Sequence, residues 1–178
     1  MRFSLYMALI STLAAVAECS SFQQQCSKLA SKLKIENATA WFSEYVAAGT
    51  NMSFPDTDPS CAQGSLVVDV DFCRVAPYVA TSHRSGISME AWLPKNWTGR
   101  FLSTGNGGLN GCLSYDDMAY TVELGFSTVG AKNCHNGHNG TSGAPFLNNP
   151  DVLVVDFAWP SVHTNAVVGK QISEARRT

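Results

Sequence analysis

The stretch "RFLSTGNGGLNGC", residues 100–112, begins as a buried strand and then loses its side-chain bulk. Phe101 and Leu102 lead into Gly105, Asn106, Gly107 and Gly108, and Gly111 follows. A simple turn needs one or two glycines, so this density after an apolar strand asks for a further reason. Downstream, "CLSYDDMAYTVELG" (112–125) spaces Leu113, Asp117, Tyr120 and Leu124 as one helical stripe ending at a C-terminal glycine. "FSTVGA" (126–131) reads as a short strand, and residues 156–175 as a helix with Val162, Ala166, Gly169 and Ile172 on one stripe and Pro160 in its first turn. Strand, glycine loop, helix, strand, loop and helix predict an α/β domain with a parallel sheet. A crossover helix returns the chain to its sheet, so the last helix predicts a further strand.

Working back toward the N-terminus, "FQQQCSKLASKLK" (22–34) places Cys26, Leu29 and Leu33 on one helical face. "ATAWFSEYVAAG" (38–49) reads as a strand, and "TNMSFPDTDPSCAQG" as a polar loop. "SLVVDVDFCRVAPYVA" and "ISMEAWL" are the remaining strand candidates.

The first residues carry Arg2 and then an apolar run from Leu5 to Ala17, with Ala15 and Ala17 forming a small-x-small cleavage pattern. The run is shorter than the roughly 20 residues of a membrane span. It predicts a signal peptide over 1–17, a mature chain over 18–178, and secretion. Six cysteines (Cys19, Cys26, Cys61, Cys73, Cys112, Cys134) suit an oxidising compartment, and no Cys-x-x-Cys zinc knuckle occurs. Sequons at Asn37, Asn51, Asn96 and Asn139 predict a glycoprotein. A net charge of −2 gives no electrostatic case for nucleic acid or for an anionic membrane surface. A hydrophobic share of 45% over 178 residues supports one domain with a real core.

Neither phosphate-binding glycine pattern is present, which leaves two uses for residues 105–111. One is a tight turn with a helix cap. The other is an oxyanion loop, in which backbone N–H groups approach a substrate carbonyl and side chains would obstruct.

The segments "MEAWLPKNWTGRFLSTGNGGLNGC", "AYTVELGFSTVGA", "HNGTSGAPFLNNP" and "VVGKQI" together resemble the tannase and feruloyl esterase family, over roughly residues 22–174. The resemblance implies an α/β-hydrolase fold and a Ser-His-Asp triad that cleaves esters of aromatic acids. It also implies a lid domain, inserted later in the chain, that carries a structural calcium. It makes Asn106, Gly107 and Gly108 the oxyanion loop, and pairs Cys26 with Cys73 and Cys61 with Cys112, leaving Cys19 and Cys134 over.

The family's nucleophile stands in a Cys-Ser-x-Gly-Gly elbow after the last helix, and this chain contains no such motif. Gly-x-Ser-x-Gly is missing too; "GTSGA" at 140–144 lacks the second glycine. The implied chain is therefore an incomplete hydrolase fold, inactive by itself, with no catalytic residue, metal or cofactor of its own. Ser142, His135, His138, His163, Asp116 and Asp117 offer no substitute site. His135 and His138 sit among Asn-Gly turns, His163 is read as a packed helix residue, and adjacent aspartates on a helix do not face each other. The alternative reading is a small secreted, disulfide-bonded glycoprotein whose Trp and Tyr residues bind a ligand without catalysis.

Overall fold

A computed structural model describes residues 21–108, 110–132 and 156–176. The expected signal peptide and Cys19, Cys134, His135, His138, Asn139 and Ser142 lie outside these residues.

Helix α1 (Phe22–Lys32) opens on a capping box: the Gln24 N–H donates to Ser21 Oγ, and the Ser21 N–H to Gln24 Oε1. Its inner face buries Cys26 and Leu29. Strand β1 (Ala38–Val46) follows, then a two-stranded sheet of β2 (Asn51–Ser53) and β3 (Ser65–Val67). The main sheet continues with β4 (Phe72–Ala80), β5 (Gly86–Pro94), β6 (Phe101–Ser103) and β7 (Ser127–Ala131), in the order β1-β4-β5-β7-β6. Helix α2 (Tyr115–Glu123) joins β6 to β7, and α3 (Pro160–Ala175) closes the described chain.

The sheet is mixed, not parallel as expected. Among the described residues only β6 and β7 run parallel; β1, β4, β5 and β7 pair antiparallel. The reason is local. β4 and β5 are joined by a five-residue turn, in which Thr81 and Ser82 both donate to the Ser85 carbonyl, and a turn that short permits only antiparallel neighbours. The apolar run 65–80 also divides into two strands. Its break contains Asp71, whose carboxylate accepts the Ala48 N–H (3.0 Å) and pairs with Lys95 (3.2 Å). The loop expected over 50–64 contains β2.

Alternation along β5 separates two cores. Ile87, Met89, Ala91 and Leu93 face Val75, Val79, Val129, α1 and the Val168 and Ile172 of α3. Trp92 faces the other way, toward Phe72, Phe54, Tyr115, Met118 and Val122. The two helices near the glycine loop thus cover opposite faces of the sheet.

Both of their buried stripes differ from the expected ones. In α2 the buried residues are Tyr115, Met118, Ala119, Thr121 and Val122, whereas Tyr120 is 65% exposed and Leu124 48% exposed. In α3, Val162 faces solvent, and Ser161 and Asn165 are buried in line with Val168, Gly169 and Ile172. On these inner faces Tyr115, Thr121 and the Asn165 amide nitrogen have specific hydrogen-bond partners, a choice that hydrophobic spacing does not record. Gly169 is required by contact: a Cβ there would lie 2.7 Å from a Val129 methyl, so α3 sits directly against β7. Pro160 occupies the first turn of α3, as expected.

The glycine loop at the sheet edge

The loop begins where β6 ends. The Thr104 N–H and hydroxyl both donate to the Val129 carbonyl, at 2.8 and 3.1 Å, and prolong the β6–β7 pairing by one residue. From the α3 side, Asn165 Nδ2 donates to Ser103 Oγ (2.9 Å) and to the Thr104 carbonyl (3.3 Å). Beyond this point the chain turns on itself. Asn106 Nδ2 donates to the Cys112 carbonyl (2.6 Å), the Cys112 N–H to Asn110 Oδ1 (2.8 Å), and the Asn110 N–H to the Gly107 carbonyl (3.1 Å). Helix α2 then starts with Asp116 and Asp117 in its first turn, both exposed, where negative charge suits the helix dipole.

Gly107 and Gly108 stand at the exposed crest of this loop, and a Cβ at either would meet nothing within 4 Å. Packing therefore does not demand glycine at either position. Backbone conformation does at Gly108, whose φ is +57°. Neither the Gly107 nor the Gly108 N–H donates a hydrogen bond among the described residues. The crest thus offers unobstructed backbone donors at the end of a parallel strand.

Among the described residues two disulfides are formed, Cys26–Cys73 and Cys61–Cys112, the pairs that the resemblance implies. The first ties α1 to β4. The second ties the base of the glycine loop to the one-turn helix Pro59–Cys61.

The other candidates are apart from this loop. His163 is exposed on α3 with its ring stacked on Trp159 at 4.4 Å, so it is not the packed residue expected from the sequence. Asn37, Asn51 and Asn96 are all exposed, at the turn before β1, the start of β2 and the turn after β5. No group of three or more His, Cys, Asp and Glu side chains among the described residues could hold a metal ion.

Sequence reading missed two features. Asn165 was passed over on the expected apolar stripe. The other is a buried charge network beneath α2, around Glu90, which is 5% exposed. Its carboxylate accepts from Arg74 Nε (2.7 Å) and Nη2 (2.6 Å), Trp92 Nε1 (2.9 Å) and the Tyr115 hydroxyl (2.8 Å). Burial, and then the adjacent Glu90 charge, push the Tyr115 phenol well above the ordinary tyrosine range. Burial opposes the charge of Arg74, but its bonds to Glu90 outweigh that and raise its pKa. The available signal was a charged residue at one strand position in each of β4 and β5, amid otherwise apolar sequence.

The profile described as tannase and feruloyl esterase matches residues 73–178. The chain belongs to the tannase and feruloyl esterase family. It is 53% identical over 173 residues to a probable feruloyl esterase B of Aspergillus clavatus, and the match covers 97% of this chain but 32% of that protein. It is 51% identical to a probable feruloyl esterase B-2 of Aspergillus fumigatus, with the same coverage. Among solved structures, feruloyl esterase B from Aspergillus oryzae superposes with a TM-score of 0.80 at 47% identity, covering 87% of this chain and 30% of that one. This member of the family therefore spans about a third of the length of the relatives it matches. No helix among the described residues is long and apolar enough to cross a membrane.

Proposed function

We propose that this chain forms the N-terminal part of the α/β-hydrolase domain of a secreted, glycosylated carboxylic ester hydrolase acting on hydroxycinnamate or gallate esters. Residues 1–17 are its signal peptide and 18–178 the beginning of the hydrolase domain. The observation that carries the reading is the crest of the glycine loop, with free backbone donors on glycines that packing does not require. In the proposed reaction a serine attacks the ester carbonyl, and the negative charge that develops on its oxygen is met by the N–H groups of Gly107 and Gly108. Asn106 holds the loop in shape, and the Cys61–Cys112 bridge anchors its base.

The nucleophile, its histidine base and the acid come from sequence outside this chain. The β6 strand supports that division. Among the described residues it pairs on one side only, and α3 lies against β6 and β7. A strand following α3 by a right-handed crossover would lie beside β6, next to the glycine loop. The structural calcium belongs with the lid domain, and no catalytic step here is routed through it.

The test is turnover of methyl ferulate and of a gallate ester by the purified 178-residue chain and by a form extended through the elbow, acid and base. The expected result is turnover by the extended form only. Saturable turnover by the 178-residue chain, abolished by a serine reagent, would overturn the division and direct attention to Ser142 or another local serine.

A further inference from the structure

Thr104, the residue on which the chain leaves β6, is gripped from two elements. From β7, the Val129 carbonyl accepts both its N–H and its hydroxyl. From α3, Asn165 spends both Nδ2 protons here, on Ser103 Oγ (2.9 Å) and on the Thr104 carbonyl (3.3 Å). A carbonyl can only accept, so the amide nitrogen and not the oxygen must face it. The helix that carries Asn165 is itself seated on Val129, because one turn further on a Cβ at Gly169 would lie 2.7 Å from a Val129 methyl. Strand end, helix and loop entry are thus referenced to one residue of β7, and Gly107 follows three residues after Thr104.

Stability alone would not select this arrangement. Asn165 is 2% exposed, and its Oδ1 is buried with no hydrogen-bond partner among the described residues. The cost of that acceptor offsets what the two bonds return, since Ser103 and Thr104 are half-buried and water can replace the amide there. A leucine at this position would keep the branched shape without the unpartnered oxygen. Ser161, one turn earlier on the same face, has a buried hydroxyl that likewise lacks a partner among the described residues. What the Asn165 amide supplies, and an apolar side chain would not, is a fixed position for Thr104.

We propose that Asn165 is a positioning residue for ester cleavage. Its amide sets the place of Thr104, and through it the place of the Gly107 and Gly108 N–H groups relative to the oxyanion. The inference rests on the esterase reading above and adds to it a residue that acts through the loop and not on the substrate.

The test uses the form extended through the elbow, acid and base, with methyl ferulate as substrate and kcat expressed per active site titrated with a serine reagent. Asn165→Leu should lower kcat about 100-fold and leave KM within about twofold, because a displacement of about 1 Å at the donors acts on the transition state alone. Its urea midpoint should move by less than about 0.3 M. Asn165→Ala, which also opens a cavity, should be less stable but lose the same kcat, so that turnover and stability separate. Ser161→Ala should keep both. A kcat within about threefold of the parent in both Asn165 variants would overturn the positioning role and leave the esterase reading intact. So would losses that follow the unfolding midpoint, with Asn165→Leu active and Asn165→Ala not. An extended parent without turnover would instead overturn the esterase reading, and the positioning role with it.

Discussion

The two edges of the main sheet are held by different means. At one edge β1 pairs with β4 from Ala38 to Val46, α1 packs across both strands, and the Cys26–Cys73 bridge joins helix to sheet. At the other, β6 has three residues and, among the described residues, one neighbour, and leads at once into exposed glycines. The first edge is stabilised by a ladder and a core. The second is held by discrete side-chain bonds from Asn106, Asn110 and Asn165 and by one disulfide. Rigidity is thus concentrated away from the proposed oxyanion loop, and that loop depends on a few separable contacts.

The comparison can be tested first on the β4–β5 side, where the largest effect is expected. Glu90→Leu removes the buried carboxylate that accepts from half-buried Arg74, Trp92 and Tyr115, and should cost about 3 kcal/mol in urea unfolding. A loss below about 1 kcal/mol would show that water reaches Arg74 and that this half is less closed than described.

The disulfides sharpen the contrast. They span similar separations, 47 and 51 residues, so in the chain-entropy account each contributes about 4 kcal/mol. Paired Cys→Ala replacement should therefore lower stability about equally in the two cases. Amide exchange should separate them: the amides of residues 105–112 should exchange faster only when Cys61 and Cys112 are replaced. Equal acceleration in both variants would mean that the loop is not held locally.

Asn165→Ala should cost about 1 kcal/mol, because two hydrogen bonds are lost while the Asn165 Oδ1 already lacks a partner among the described residues. Within the loop, Gly108→Ala should cost about 1 kcal/mol through its positive φ, and Gly107→Ala less than about 0.5 kcal/mol. Equal costs would mean that conformation is not what distinguishes the two glycines.

The smallest expected effect is on acid stability. The Ala48 N–H, and then Lys95, hold the Asp71 carboxyl below its ordinary range. A lowered folded-state pKa contributes stability above the unfolded value of about 3.9, and that contribution is lost as pH falls through the folded value. Asp71→Asn should therefore lose stability near neutral pH and flatten the decline below about pH 4. An unchanged acid limb would remove Asp71 from the account.

Much of this organisation was legible in the sequence. Helix α1, β1, β7 and the last helix all lie where periodicity placed them, and Pro160 and Gly125 sit at the helix ends where their backbone preferences suit them. The glycine loop was found from composition alone, because glycine density directly after a strand is a local signal. Strand direction was misread because alternation of strands and helices was visible, whereas the short turn after Ala80 carried the stronger constraint.

What the sequence by itself determined is local: which segments become helices and strands, where they stop, and where the backbone lacks side chains. Tertiary structure decided which face of each helix is buried. Tyr120 and Leu124 have the spacing of a core stripe but point to solvent, while Ser161 and Asn165 are buried, the latter because its amide reaches Ser103 and Thr104 across 62 and 61 residues of chain. Burial of Glu90 was decided the same way, since four donors converge on it from β4, β5 and α2. Glu90 and the Asn165 amide nitrogen are accepted into the core because their partners are brought there, and partners distant in sequence have no periodicity to announce them.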